Sequence, residues 1–211
     1  MKISEIFRSI QGESTYAGLP CVFIRLAGCN LSCSYCDTTY AAESGGREMS
    51  VETVIGKVRK LGGELVEITG GEPLLQPETR ELTGRLLAGK KTVLLETNGS
   101  LPIDSLPPEV IIIMDVKCPG SRMTDQVFIP NFSRLKPSDQ IKFVLLDRRD
   151  YDYAREMIRK HDLYGHELLM SPVWGKLSPA ELAGWILADR LNVRLQLQLH
   201  KQIWKPDTRG V

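Results

Sequence analysis

The chain has 211 residues, with 27 Lys and Arg against 26 Asp and Glu, giving a formal net charge of +1. An apolar share of 42% and a charged share of 25% are ordinary for a folded domain and exclude a disordered chain. The near-neutral balance argues against a nucleic-acid coat or a polybasic membrane binder, and the length suits one domain over residues 1–211.

The first residues, Met1 to Arg8, lack the apolar stretch of a secretion signal, and Glu5 interrupts them. The longest apolar run, 110–114, is far too short to span a bilayer. Three of the five cysteines fall within positions 29–36, which points to metal or redox chemistry in a reducing compartment rather than to disulfides. A cytoplasmic protein is expected.

A first strand is predicted over residues 21–27, apolar but for Arg25. Ser50 opens a helix over 51–61, with Val51, Val54, Ile55 and Val58 on one face. A strand follows at 64–69, and Pro77 opens a second helix through Glu81, Leu82, Leu86 and Leu87. Strands at 92–96 and 110–115 come next. The stretch 117–137, rich in Gly, Pro, Ser and Asn, reads as a long loop. Residues 140–145 predict a strand, 151–160 a helix and 167–171 another strand. Ser178, Pro179 and Glu181 predict a capping box with proline at the first helical position, opening a helix from 179 to about 190. A last strand is predicted at 193–198.

Most of these strands are runs of Val, Ile and Leu, as in a parallel sheet covered on both faces. Strand–helix alternation implies an α/β fold with right-handed crossovers. Six or seven strands are too few for a closed eight-stranded barrel. A partial (open) parallel β/α barrel of about six core strands is expected, with ligands at the C-terminal strand ends.

Four consecutive strands end in polar turns, beginning at Gly28, Gly70, Thr97 and Val116, and these are expected to converge on one pocket. The first turn carries Cys29, Cys33 and Cys36 in a C-x3-C-x2-C spacing, which can cap one face of a metal centre. A structural zinc site normally closes with four ligands in two pairs, and neither a second pair nor a nearby His is present. An iron–sulfur cubane normally takes four thiolates, so three leave one iron open for chemistry.

With Tyr35 just before the last cysteine, this loop resembles the cluster loop of radical S-adenosylmethionine enzymes. Gly70-Gly71-Glu72-Pro73 resembles the GGEP turn of the same superfamily. Alone, that turn reads equally well as a helix entry stopped by Pro73. Ile10-Gln11-Gly12-Glu13 ahead of the first strand, Arg25 within it, Asp37-Thr38 after the cysteines, Glu96-Thr97-Asn98-Gly99 and Gln198-x-His200-Lys201 resemble the 7-carboxy-7-deazaguanine synthase family. The resemblance covers nearly the whole chain.

The resemblance implies a 4Fe-4S cluster on Cys29, Cys33 and Cys36, with S-adenosylmethionine chelating the open iron and yielding a 5′-deoxyadenosyl radical. The reaction it implies is the ring contraction of 6-carboxy-5,6,7,8-tetrahydropterin to 7-carboxy-7-deazaguanine with loss of ammonia, a lyase step in the queuosine (7-deazapurine) pathway. The S-adenosylmethionine site would comprise Tyr35, Cys36, Asp37, Gly70, Gly71, Glu72, Asn98, Asp115, Val116 and Lys117. The substrate site would comprise Ile10, Gln11, Gly12, Glu13, Arg25, Thr69, Gln198 and His200, the last two closing the pocket from the last strand. Gln11 and Glu13 suit the amide and amine edge of a pterin, and Arg25 suits its carboxylate. Glu13 and Arg25 are the residues expected to be required for the ring contraction. Arg25 also reads as a barrel-lining Arg paired with a structural acid. Thr38 would be the protein ligand of Mg2+, or simply cap the end of the loop. A homodimer and a flavodoxin-type electron donor are family expectations. The substrate is a small molecule, and neither nucleic acid nor membrane is an expected direct partner.

Two features depart from the family pattern. Ser14 stands where the glutamine loop usually has Gly, so that position is expected to avoid strongly glycine-specific angles. The tail 202–211 runs past the point where related chains often end, so a C-terminal carboxylate is expected away from the pocket. Cys21 and Cys118 remain as packing or pocket residues. A glycyl-radical-enzyme activase would share the cysteines and the GGEP turn but has no need of the Gln11 loop or the terminal Gln198-x-His200-Lys201. The other rival is a non-catalytic metal-binding module.

Overall fold

The computed structural model describes residues 1–42, 45–206 and 208–211. In chain order the strands are β1 (Lys2–Ile10), β2 (Pro20–Leu26), β3 (Arg47–Glu48), β4 (Leu65–Gly70), β5 (Thr92–Thr97), β6 (Ile111–Asp115), β7 (Gln140–Leu145), β8 (Glu167–Pro172) and β9 (Arg194–Leu195). The helices are α1 (Thr39–Ala42), α2 (Val51–Leu61), α3 (Thr79–Ala88), α4 (Arg148–Lys160), α5 (Pro179–Ala188) and α6 (Leu199–Ile203). One sheet holds all nine strands in the order β3-β1-β2-β4-β5-β6-β7-β8-β9. It is parallel from β2 to β9, with β1 and β3 antiparallel at one edge. This is the open β/α barrel expected.

The long parallel strands match the predicted windows to within one residue at each end. Three predictions need correction. The window 193–198 contributes only Arg194–Leu195 to the sheet. Beyond it the backbone serves another partner, with Leu199 N–H donating to Gly12 O at 2.9 Å. Gln198 and His200 therefore sit at the start of the short helix α6 rather than on a strand. Ser178 precedes α5 in an extended conformation but makes no capping hydrogen bond, so Pro179 and the burial of Leu182 and Ile186 carry that helix. Helix α4 starts at Arg148, ahead of its predicted start, because Asp147 accepts from Asp150 N–H at 3.1 Å. Residues 117–137 hold three short 3-10 turns, at Pro119–Ser121, Thr124–Gln126 and Ile129–Asn131.

Two apolar clusters lie on opposite faces of the sheet. The larger packs α2, α3, α4 and α5 on the outside, with Val54, Leu82, Ile158 and Leu182 fully or almost fully buried, and Cys118 belongs to it. The smaller is a plug inside the barrel, made of Cys21, Phe23, Leu65, Leu94 and Ile113. Phe7 from β1 stacks on Phe23 with ring centroids 5.1 Å apart. Strand periodicity then fixes what stands above the plug. Two residues beyond Phe23 is Arg25, beyond Leu94 is Glu96 and beyond Ile113 is Asp115. On β4 the step runs Leu65, Glu67, Thr69.

The gap between the two ends of the sheet is bridged by the segment after β1. Ser14 N–H donates to Gln196 Oε1 at 2.9 Å and Thr15 N–H to Gln140 Oε1 at 3.0 Å. Ser14 takes a φ of +63°, the left-handed region that a serine reaches only at some cost. The expectation that it avoids such angles is corrected. Of the tail, residue 207 lies outside the described residues. Pro206 and Val211 line the interior cavity, contrary to the expectation that the tail stays away.

The two helix starts separate experimentally. Asp147→Ala is expected to lower stability by about 1 kcal/mol, whereas Ser178→Ala changes it by less than about 0.5 kcal/mol. Urea unfolding of both variants checks this, and equal losses would refute the assignment of caps.

Candidate active site

A cavity of about 590 Å³ opens at the C-terminal ends of the parallel strands. Its lining comes from every long parallel strand except β8, together with the loops after β1, β2 and β8, helix α6 and the tail.

The cysteine loop forms one wall. Cys29, Cys33 and Cys36 all line the cavity and are half-buried. The loop is tied down from outside. Ser34 Oγ donates to Gly120 O at 2.6 Å, and Tyr35 Oη donates to Val144 O at 3.1 Å. Asn98 Nδ2 lies 3.8 Å from Cys29 Sγ, and Leu31 N–H points at the same sulfur at 3.4 Å.

The glycine turn forms the adjoining wall. A Cβ at Gly71 would run into the carbonyl oxygen of Gly28, so only glycine lets the two turns touch. Glu72 does not face the cavity, correcting the expectation that it contacts S-adenosylmethionine. It is fully buried and accepts from Leu74 N–H at 3.0 Å, Thr97 Oγ1 at 2.8 Å and Asn98 N–H at 2.7 Å. Its task is to fasten the glycine turn to the end of β5. Val116 is likewise buried in the outer core, while its neighbours Asp115 and Lys117 line the cavity.

Above the plug lies a ring of charge. Lys142 Nζ contacts Glu13 Oε2 at 2.7 Å, Glu96 Oε1 by a short hydrogen bond, and Asp115 Oδ2 at 3.7 Å. Glu96 Oε2 accepts from Thr69 Oγ1 at 3.2 Å. Burial alone would raise the Glu13 carboxyl. Attraction to Lys142 and His200, with hydrogen bonds from Lys142 and Gln198, instead holds it down at about 2. Lys142 is driven the other way: burial opposes its charge, and Glu13, Glu96 and Asp115 more than compensate. Glu67, Glu96 and Lys142 had no predicted role. Each is a charge inside an apolar strand, the signal that marked Arg25 in the same sequence.

Arg25 meets its reading as a lining Arg paired with an acid. Its Nε donates to Glu5 Oε1 at 2.8 Å, and Tyr40 Oη donates to the same oxygen at 2.8 Å. This orients the guanidinium in the cavity wall and leaves its terminal nitrogens for a ligand. Ile10, Gln11 and Gly12 line the cavity. Gln198 Nε2 donates to Glu13 Oε1 at 2.9 Å. A Cβ at Gly12 would collide with the His200 ring, which therefore packs directly on that backbone. Lys201 Nζ holds Asp37 Oδ2 at 2.5 Å, joining α6 to the cysteine loop beside Thr38.

The donor set fits an iron–sulfur cluster with a ligand beside it. Among the described residues no three His, Cys, Asp or Glu side chains converge on a single-ion position. The thiolates of an iron–sulfur cluster each hold a different iron and stand apart in the same way. The buried Asp115 Oδ1 has no hydrogen-bond partner, so a ligand donor is wanted between the cysteine loop and β6.

A model of the Radical SAM superfamily matches residues 23–114. Over its full length the chain is 47% identical to a 7-carboxy-7-deazaguanine synthase of Koribacter versatilis, all of which is covered. It is 46% identical over its full length to the enzyme of that name from Chlorobaculum tepidum, with 97% of the latter covered. In structure it is similar to QueE from Escherichia coli, with a TM-score of 0.76, 24% identity and 94% of each chain covered. Archaeal TYW1 shares the fold more distantly, with a TM-score of 0.61 at 15% identity over 82% of this chain and 72% of that one.

Lys142→Met is expected to destabilise the protein by about 3 kcal/mol or more at pH 7, because it takes from the Glu13 carboxylate its main cation. In the variant the burial of Glu13 is no longer offset by that cation, so the loss shrinks as pH falls toward about 4.5 and its carboxyl protonates. The wild-type Glu13 contribution is present above its unfolded value and is lost only as pH falls toward about 2. Unfolding at several pH values measures the gap, and a gap independent of pH would refute the role of Lys142.

Proposed function

The chain belongs to the 7-carboxy-7-deazaguanine synthase family of radical S-adenosylmethionine enzymes, and we propose a division of labour among the residues of its cavity. It catalyses the ring contraction of 6-carboxy-5,6,7,8-tetrahydropterin to 7-carboxy-7-deazaguanine, expelling one nitrogen as ammonia. The observation that carries the reading is convergence: one cavity gathers the three thiolates, the glycine turn and the Gln11–Glu13–Arg25 group.

Cys29, Cys33 and Cys36 would hold the cluster. Tyr35, Cys36 and Asp37 with Gly70 and Gly71, Asn98, and Asp115 with Lys117 would hold S-adenosylmethionine. Bound there, the two supply a 5′-deoxyadenosyl radical, and the protein supplies position and exclusion of water. The terminal nitrogens of Arg25 suit the substrate carboxylate, because Glu5 already occupies Nε. Gln11 and Glu13 suit the pterin edge, with Glu13 kept ionised by Lys142 and Gln198. Thr69, hydrogen-bonded to Glu96, would touch the substrate, and His200 would close the pocket from α6. Thr38 offers one hydroxyl to Mg2+, leaving water and substrate oxygens to complete its shell. The neighbouring Asp37 is already engaged by Lys201.

A cavity of about 590 Å³ suits a cofactor with a small substrate, which favours this reading over action on a protein backbone. Family membership further supports a homodimer, a flavodoxin-type donor and a cytoplasmic setting. Among the described residues no helix is long and apolar enough to cross a membrane.

Anaerobic reconstitution with iron and sulfide is expected to give a broad visible absorbance that dithionite bleaches. Incubation with S-adenosylmethionine and the carboxypterin then yields the deazaguanine, with more product when Mg2+ is present. Arg25→Ala should keep the cluster and lose roughly a hundredfold in kcat/KM, the worth of a charged hydrogen-bonded pair. Cys33→Ala should lose both cluster and cofactor cleavage. No deazaguanine from the wild type would sink the functional reading, and full turnover by Arg25→Ala would sink the carboxylate role.

A further inference from the structure

Among the described residues, Glu67 is an acidic side chain flanked on both neighbouring strands by residues of the apolar plug. It lies mid-strand on β4, with Phe23 of β2 and Leu94 of β5 as its strand partners, and it is almost fully buried. Leu or Val there would complete the plug, and an acid in that place works against stability. Its carboxyl still lines the cavity floor, and it has one hydrogen-bond partner, Gln11 Nε2, by a short contact. The opposite end of that carboxamide is also held, because Gln11 Oε1 accepts from Glu13 N–H at 3.0 Å. A backbone N–H can only donate, so Glu13 fixes the oxygen of the amide, and Glu67 fixes its nitrogen. A half-turn of the carboxamide would set donor against donor at Glu13.

We propose that Glu67 is a positioning and specificity-determining residue, which locks the Gln11 carboxamide in one orientation and so sets the donor–acceptor order offered to the pterin's pyrimidine edge. The inference rests on Gln11 reading that edge. The charges around Glu67 are consistent with a neutral acceptor. Burial, followed by the charge of Glu96, pushes its carboxyl up to about 8, with Glu13 adding to the rise and Gln11 and Lys142 opposing it. From β2, Cys21 faces it as a thiol that burial keeps protonated. A glutamine is therefore the faithful replacement, and a leucine removes the lock while filling the plug.

The test uses reconstituted wild type, Glu67→Gln, Glu67→Leu and Gln11→Leu. Each is assayed for KM and kcat with the carboxypterin, and for its preference over the analogue bearing oxygen in place of the 2-amino group. Cluster content, cofactor cleavage without substrate, and thermal midpoint are read on the same samples. Glu67→Leu is expected to raise KM by roughly tenfold or more and to erode the preference by a similar factor, as when one neutral hydrogen bond is lost from a polar site. Cluster content and uncoupled cleavage stay at wild-type values, and the thermal midpoint does not fall. Glu67→Gln recovers most of the affinity and the preference. If Gln11→Leu is impaired while Glu67→Leu is not, this inference fails and the reading of Gln11 stands. If neither changes KM or preference, both fail. A Glu67→Leu protein that unfolds or loses its cluster assigns Glu67 to structure and overturns the inference. A wild type that makes no product overturns it together with the functional reading.

Discussion

One buried ammonium organises the interior. Lys142 comes from β7, yet it is held by Glu13 from the loop after β1, by Glu96 from β5 and by Asp115 from β6. A lone ammonium at this depth would shed its proton or draw in water, and three carboxylates crowded together would not all stay ionised. The ammonium and the carboxylates make one another tolerable, and Lys117 Nζ, 2.9 Å from Asp115 Oδ2, adds a second cation to the group. Glu13, proposed for the substrate, and Asp115, proposed for the cofactor, are thereby fixed relative to one another through a single atom. Low dielectric strengthens these contacts and makes any unpaired member expensive, so the arrangement is rigid by necessity.

That rigidity also explains how an open barrel can serve as a closed vessel. The sheet leaves a gap between its first and last strands, and among the described residues no further strand fills it. Instead Gly12, Ser14 and Thr15 after β1 bond to Leu199, Gln196 and Gln140 respectively. The residues that seal the gap are neighbours of Gln11 and Glu13 on one side and of Gln198 and His200 on the other. Closure is therefore made beside the residues proposed to read the substrate. The left-handed backbone at Ser14 is the local strain this closure entails, at a position where glycine would be unstrained.

Much of this was legible in the chain because its signals are local. The parallel strands are apolar runs of the right length, and C-x3-C-x2-C and Gly70-Gly71-Glu72-Pro73 announce themselves by spacing. Strand β1 escaped because it is half-exposed, with β3 beside it only at Lys2 and Ile3, and apolar and polar residues mix along it without strict alternation. Glu72 was misjudged because a turn motif does not say which way its side chain points; three donors from β5 and the following 3-10 turn claim it. Glu67, Glu96 and Lys142 carried the same mark as Arg25, a charge in an apolar strand. Assigning them a face needs the register between strands, and register is settled by contacts dozens of residues apart. The Ser178 motif reads as a capping box, but proline and buried leucine suffice for α5 and the serine stays uncommitted.

The layering of the inner face separates what holds the fold from what defines the chemistry. Archaeal TYW1 keeps the architecture at 15% identity, so the architecture does not dictate which side chains stand on the cavity floor. Stability comes from the outer core and from the plug of Cys21, Phe23, Leu65, Leu94 and Ile113. One step along β2, β5 and β6 the residues become Arg25, Glu96 and Asp115, and two steps along β4 comes Thr69, side chains that an apolar core would exclude. A two-residue period makes this change abrupt, since consecutive inward positions on one strand lie only about 7 Å apart. Glu67 alone lies below that boundary on its strand, joined to Gln11 rather than to the Lys142 group. An acid retained there against the hydrophobic preference of its neighbours has to be explained by what it orients, because packing gives no reason for it.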